Sequence, residues 1–131
     1  MAAAVADARP AKVSRVKIKK DKLQAIRLVK NPDILANLAK KKKKGQVFVG
    51  FGLESADLAA NGAKKMTLKS LELILLQEVT RRKSPFGNKA INAYLMDCLG
   101  QVTAYRSIRK QRLAGILVRQ AEAIFASKNS D

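Results

Sequence analysis

Apolar and polar positions change their period several times along the chain, and each change predicts an element. Residues 2–6 (AAAVA) read as the end of a buried strand. Residues 8–22 carry Pro10, many charges and little apolar periodicity, which predicts a mobile loop. The run 23–29 (LQAIRLV) is a short strand candidate. Asn31-Pro32-Asp33 signals a helix start, with Asn31 as cap and Pro32 at the first helical position. That helix is expected to reach about Lys43 and to end before Gly45, with a cationic last turn that suits the helix dipole. Residues 47–51 (VFVGF) are an apolar, β-rich run. Ser55 is expected to cap a helix over 56–69, weakened by Gly62, and residues 71–76 form a second apolar strand. Strand, helix and strand within about thirty residues make a βαβ unit, which implies parallel pairing. Residues 81–90 read as a loop, and 91–96 and 101–105 flank Asp97-Cys98-Leu99-Gly100 as a hairpin. Ser107 then caps a final helix on which Leu113, Ile116, Leu117, Ala121, Ile124 and Phe125 share a face, with Arg109, Arg112 and Arg119 largely off it.

Composition narrows the function. The 131 residues, 47% apolar and 28% charged, suit one domain with a buried core. Net charge is +17, which argues against a cation-binding acidic protein and for anionic partners. Residues 12–44 supply thirteen basic groups against two acids, eleven of the seventeen net positive charges. The absence of histidine excludes histidine-based triads and zinc sites. The single cysteine, Cys98, can form neither an internal disulfide nor a paired-cysteine metal site, which suits a reducing, cytoplasmic setting. The longest apolar stretch, residues 73–76, is far shorter than the ~20 residues of a membrane span, so no membrane partner is expected. The alanine-rich start carries Asp7 and no leading basic region, so a secretory signal fits poorly.

Candidate chemistry gathers in a few places. Open α/β sheets bind ligands beyond the carboxyl ends of their strands, where Asp7 and Gly50-Phe51-Gly52 are expected. The helix start at Asn31-Pro32-Asp33 offers backbone N–H groups to phosphate. The two glycines beside an aromatic ring suit close approach by a flat base, or are plain turn residues. Lys17-Ile18-Lys19-Lys20 is either a solvated basic loop or a lid that closes over polyphosphate. Lys65 and Lys69, four apart, share one helix face that meets a triphosphate or only water. Residues 44–51 match five of the seven specified positions of an RNA-recognition octamer. Gln46 and Val47 break it, and six aromatics in the whole chain leave no stacking platform.

Taken together, AAAVADARPAKVSRVKIKK, LVKNPDILANL, VFVGFGLESADLAANGAKKMTLKSLELIL and the SPFGN region resemble, in the same order, bacterial phosphopantothenoylcysteine synthetase (phosphopantothenate–cysteine ligase). That enzyme is commonly the C-terminal half of a bifunctional coenzyme A biosynthesis protein. The match is strongest over residues 2–74 and stays in register to about 126. The resemblance implies an α/β fold: a Rossmann-like, three-layer mixed sheet with a C-terminal β-hairpin and helix, the whole chain forming one partial domain with the loop 8–22 inside it. It implies a CTP- and Mg²⁺-dependent ligation in which 4′-phosphopantothenate is activated as an acyl-cytidylate and then joined to cysteine. Carried over by position, Lys17 is the functional lysine of the KxKK loop, and Ala3, Asp7, Pro32, Asp33, Ile34, Leu35, Phe51, Lys65 and Lys69 are further nucleotide contacts. A homodimer, or association with the other half of the ligase domain, is implied as well.

This sequence also departs from the family. Met1 falls where the family has a residue inside a strand, so the glycine-rich loop and processing asparagine of the family's first half are expected to be missing. The family's run of a small residue, Ala, Asn and Asp after the second apolar strand stands here as Leu76-Gln77-Glu78, and residues 84–92 lack the usual acids. With the high charge, these departures raise an alternative: a non-catalytic, basic RNA-binding component of a ribonucleoprotein assembly built on a ligase remnant.

Overall fold

The computed structural model describes residues 7–19, 25–80 and 87–130. The candidate strand over 2–6, including Ala3, lies outside these, as do residues 20–24 and 81–86. The first described pairing corrects the loop expectation. Strand β1 (Ala8–Pro10) runs antiparallel to β2 (Leu28–Lys30), with Ala8 opposite Lys30. The ladder continues at both ends: the Ala11 N–H donates to the Arg27 carbonyl (2.8 Å) and the Asn31 N–H to the Asp7 carbonyl (2.9 Å). Proline is compatible with such a two-stranded edge position, where its missing N–H is not needed. Residues 11–19 have no regular structure and are exposed.

Helix α1 (Ile34–Ala39) is shorter than expected and begins later. Asp33 is its cap, not Asn31: the Asp33 carboxylate accepts from the Ala36 N–H at 3.0 Å, and Pro32 stands before the cap. The helix ends at Lys40, and the Lys41 and Lys42 N–H groups close turns onto the Leu38 and Ala39 carbonyls at 2.9 and 3.2 Å. The Lys42 side chain turns inward to Glu72.

The βαβ unit forms as expected. Strand β3 (Val49–Glu54) leads through α2 (Leu58–Lys69) to β4 (Leu73–Glu78), parallel to β3 with Val49 opposite Leu73. Both strands start two residues later than the sequence suggested. The Val79 N–H still bonds the Glu54 carbonyl at 2.9 Å, so the chain needs residues 55–57 to turn. Asp57, at φ 49°, therefore precedes the helix in place of Ser55. Strands β5 (Ile91–Asp97) and β6 (Val102–Ile108) form the hairpin, and the Asp97 carboxylate accepts from the Leu99 and Gln101 N–H groups, both at 2.9 Å. Ser107 does not cap the last helix. It lies inside β6 at φ 49°, giving its N–H to Asn92 Oδ1 (3.1 Å), and α3 (Lys110–Lys128) starts after Arg109.

The main sheet has the order β3-β4-β5-β6 and three layers result. On one face Leu73, Leu75, Ala93 and Leu95 pack against Leu113 and Leu117 of α3, with Ile116, Ala121 and Ile124 alongside. Phe125 departs from the expected stripe and is exposed, because it lies about a third of a turn around the helix from Leu113. On the other face Ile74, Leu76 and Met96 meet Met66 of α2, flanked by Leu35 of α1. Gly62 explains why a glycine interrupts α2: a Cβ there would lie 2.6 Å from Leu76 Cδ1, so only a glycine lets the helix sit this close.

Among the described residues one charge is buried, just before β4. Glu72, 6% exposed, accepts from the Phe48 N–H (2.7 Å), from Lys42 Nζ (2.6 Å) and from Lys128 Nζ. Burial pushes its carboxyl up, but the Lys128 and Lys42 bonds and the Phe48 N–H outweigh it and hold the group below the ordinary glutamate range. The Lys42 ammonium also lies 4.7 Å from the centre of the Phe48 ring. This hub ties the loop after α1, the start of β4 and the end of α3 together.

Candidate functional site

A hollow of about 610 Å³ opens between the β1–β2 ladder, α1 and the end of α2. Its walls are Asp7, Lys30, Asn31, Pro32, Asp33, Ile34, Leu35, Leu38 and Lys69. The antiparallel ladder creates it: Ala8 faces Lys30, so Asp7 falls beside Asn31 at the mouth of α1. Arg9 fixes that corner by donating to Asn31 Oδ1 at 2.7 Å. Asp33 faces Lys69 across the hollow, Oδ2 to Nζ, at 3.0 Å. The Ala36 N–H and then Lys69 hold the Asp33 carboxyl below its ordinary value. Ile34 and Leu38 add an apolar wall that is half exposed.

Seven residues singled out from the sequence thus share one space: Asp7, Asn31, Pro32, Asp33, Ile34, Leu35 and Lys69. The others stand apart. Lys65, one helical turn before Lys69, is bound to the Glu54 carboxylate at the end of β3 and does not line the hollow. Lys17 lies in the exposed segment 11–19, also outside it. Phe51 is 71% exposed, and its strand partner Leu75 faces α3. Strand alternation therefore puts Phe51 on the sheet face opposite α2, away from Lys65 and Lys69. Gly50 and Gly52 lie inside β3, not beyond it. A Cβ on Gly52 would meet Leu76 Cδ2 at 2.9 Å, so protein, not ligand, fills that space.

The hollow's charge also differs from expectation. A bare helix start was expected to take phosphate, but the Asp33 carboxylate already occupies it. Two carboxylates, Asp7 and Asp33, balance two ammonium groups, Lys30 and Lys69. Sequence reasoning missed Lys30 and Leu38 as wall residues; only the strand register brings them in. It also missed Glu72, although an acid between Leu71 and Leu73 in an apolar run is a signal of a buried, paired carboxylate. Among the described residues no helix is long and apolar enough to cross a membrane, and no group of three metal-ligating side chains occurs.

Comparison with solved structures supports the fold as a class. The C-terminal domain of the coenzyme A biosynthesis bifunctional protein CoaBC superposes with a TM-score of 0.71 at 24% identity, covering 95% of this chain and 53% of that one. A DNA/pantothenate metabolism flavoprotein from Streptococcus pneumoniae gives 0.63 at 18% identity, covering 81% and 44%. Both share a mixed α/β architecture of which this chain spans about half. The model of the DNA/pantothenate metabolism flavoprotein C-terminal domain matches residues 1–124, and the chain belongs to that family. Among sequence relatives, the bifunctional protein CoaBC of Borreliella burgdorferi is 37% identical over 99 residues, 73% of this chain and 24% of that protein. CoaBC of Escherichia coli K12 is 37% identical over 101 residues, 72% and 25%. A cysteine/cysteine sulfinic acid decarboxylase from an unknown prokaryotic organism is 33% identical over 121 residues, 92% and 34%. The chain therefore spans a quarter to a third of these relatives. The resemblance to the synthetase part of the bifunctional coenzyme A protein is borne out by these matches.

Proposed function

We propose that this chain carries a CTP-binding surface of a phosphopantothenate–cysteine ligase. The observation that supports the reading is the convergence of Asp7, the 32–35 turn and Lys69, distant in sequence, on one hollow. Cytosine presents an exocyclic amine that a carboxylate accepts well, and Asp7 and Asp33 are such acceptors. Pro32, Ile34 and Leu38 offer apolar contact for the ring. Lys69 and Lys30 supply positive charge for the triphosphate. The Asp33–Lys69 pair is partly exposed, so exchanging its carboxylate for a phosphate costs Lys69 little. Lys17, on the exposed segment, is the residue we assign to closing over the bound nucleotide. Mg²⁺ would be held here chiefly by the phosphate oxygens themselves, and when bound it would neutralise triphosphate charge. 4′-Phosphopantothenate and cysteine are the further substrates this reading assigns, with the remaining part of the family domain, or a second copy, completing the site.

Titration with CTP and Mg²⁺ tests this. A saturable rise in melting temperature is expected, reduced in Asp7→Asn, Lys69→Gln and Lys17→Gln variants. No shift at millimolar CTP in a protein that also contains the rest of the family domain rejects the reading.

A further inference from the structure

A further cavity stands apart from the hollow described above. It lies where β6 passes into α3, measures about 760 Å³, and is walled by residues 104–109 with Gln111, Arg112 and Ile116. A second cavity of about 360 Å³ adjoins it, sharing Arg109 and Gln111 and adding Asn88 and Lys110. Among the described residues neither wall contains an acid, and the first turn of α3 contains none. Arg109, the extended residue before α3, and Arg112 in its first turn both line the cavity. Arg106 also lines the cavity, but its guanidinium lies 5.4 Å from the centre of the Tyr94 ring, on the α2 side of the sheet. None of the three arginines is ion-paired among the described residues, whereas Lys42, Lys65, Lys69 and Lys128 all are.

We propose that this cavity is a second, separate anion site that binds a phosphate group through Arg109 and Arg112. Arginine forks match phosphate oxygens two at a time, and unopposed guanidinium groups facing a concave wall concentrate anions there. The volume admits a nucleotide-sized ligand, and the open mouth also admits the backbone of a nucleic-acid strand. The chemistry recognised is the same in both, a phosphate bearing one or two negative charges.

Amide NMR of the intact chain at constant ionic strength tests the site, first with inorganic pyrophosphate and then with a twelve-nucleotide oligouridylate. Saturable shifts at residues 109–112 are expected with pyrophosphate, weakened roughly tenfold or more in an Arg109→Gln/Arg112→Gln variant and unchanged in Lys69→Gln. Both arginines are exposed, so the double variant keeps its melting temperature. Tighter binding of the oligonucleotide than of pyrophosphate names a nucleic-acid strand as the source; weaker binding names a small phosphorylated molecule. Shifts that fail to saturate, or that persist in the double variant, overturn the proposal. Because Lys69 and Arg109 lie in different cavities, failure here leaves CTP binding at the first hollow intact, and the reverse.

Discussion

Glu72 and Asp33 are both carboxylates held by lysine, and the two regions around them behave differently. Glu72 is buried just before β4, and two ammonium groups and an N–H saturate it. Asp33 is open to solvent, meets Lys69 at 3.0 Å, and lines a hollow. The same ion-pair chemistry therefore does opposite jobs. Buried, it cannot be released without stranding a charge, and it fixes the fold; exposed, it exchanges partners at small cost and stays available to a ligand.

The contrast is broken most severely at Glu72. Glu72→Ala is expected to destabilise the protein by about 3 kcal/mol, the low end for a broken buried pair because Lys128 can turn to water. Urea unfolding followed by circular dichroism measures it, and a loss below 1 kcal/mol would contradict the structural role. Acid sharpens the same point. Because the Glu72 pKa is lowered by folding, its contribution is full above the unfolded value of 4.5 and is lost as pH falls through the folded value. A pH series of melting temperatures should show that loss, and it should be reduced in Glu72→Gln. Next in size, Lys42→Gln should cost about 1–2 kcal/mol and more than Lys128→Gln, since the Lys42 side chain is 13% exposed and that of Lys128 36%. The smallest stability effect is expected at the open pair: Asp33→Asn should change stability by less than about 1 kcal/mol. Its effect should show instead as weaker CTP stabilisation in the same melts.

How legible these features were depended on how local their causes are. The β5–β6 hairpin could be read directly, since alternation and the Asp97 turn are contained in one short stretch of chain, Ile91 to Ile108. The α3 stripe was equally plain, apart from Phe125 at its margin. The cap of α1 was not. Asn31 and Asp33 are both good caps, and the choice fell to Asp33, which Lys69, thirty-six positions away, holds in place. In the lysine run 40–44 the sequence gives no hint that Lys42 alone is bound to Glu72, because the register of β4 decides which one reaches it. Phe51 was expected as a nucleotide contact beyond the strand, yet an apolar strand with glycines on alternate positions does not tell which face the ring takes, and the ring stands exposed away from the hollow. Within the hollow, residues of the 32–35 turn could be anticipated as a group, while Lys30 entered only through cross-strand pairing with Ala8.

The missing methyl at Gly62 reaches further than its own surroundings. It sets the height of α2 above Leu76, and α2 is the lever whose last residue is Lys69. A bulkier side chain at the fulcrum would lift the arm and carry its terminal ammonium away from Asp33. The spacing between charge and countercharge in the hollow is thus governed by a hydrogen atom two helical turns away.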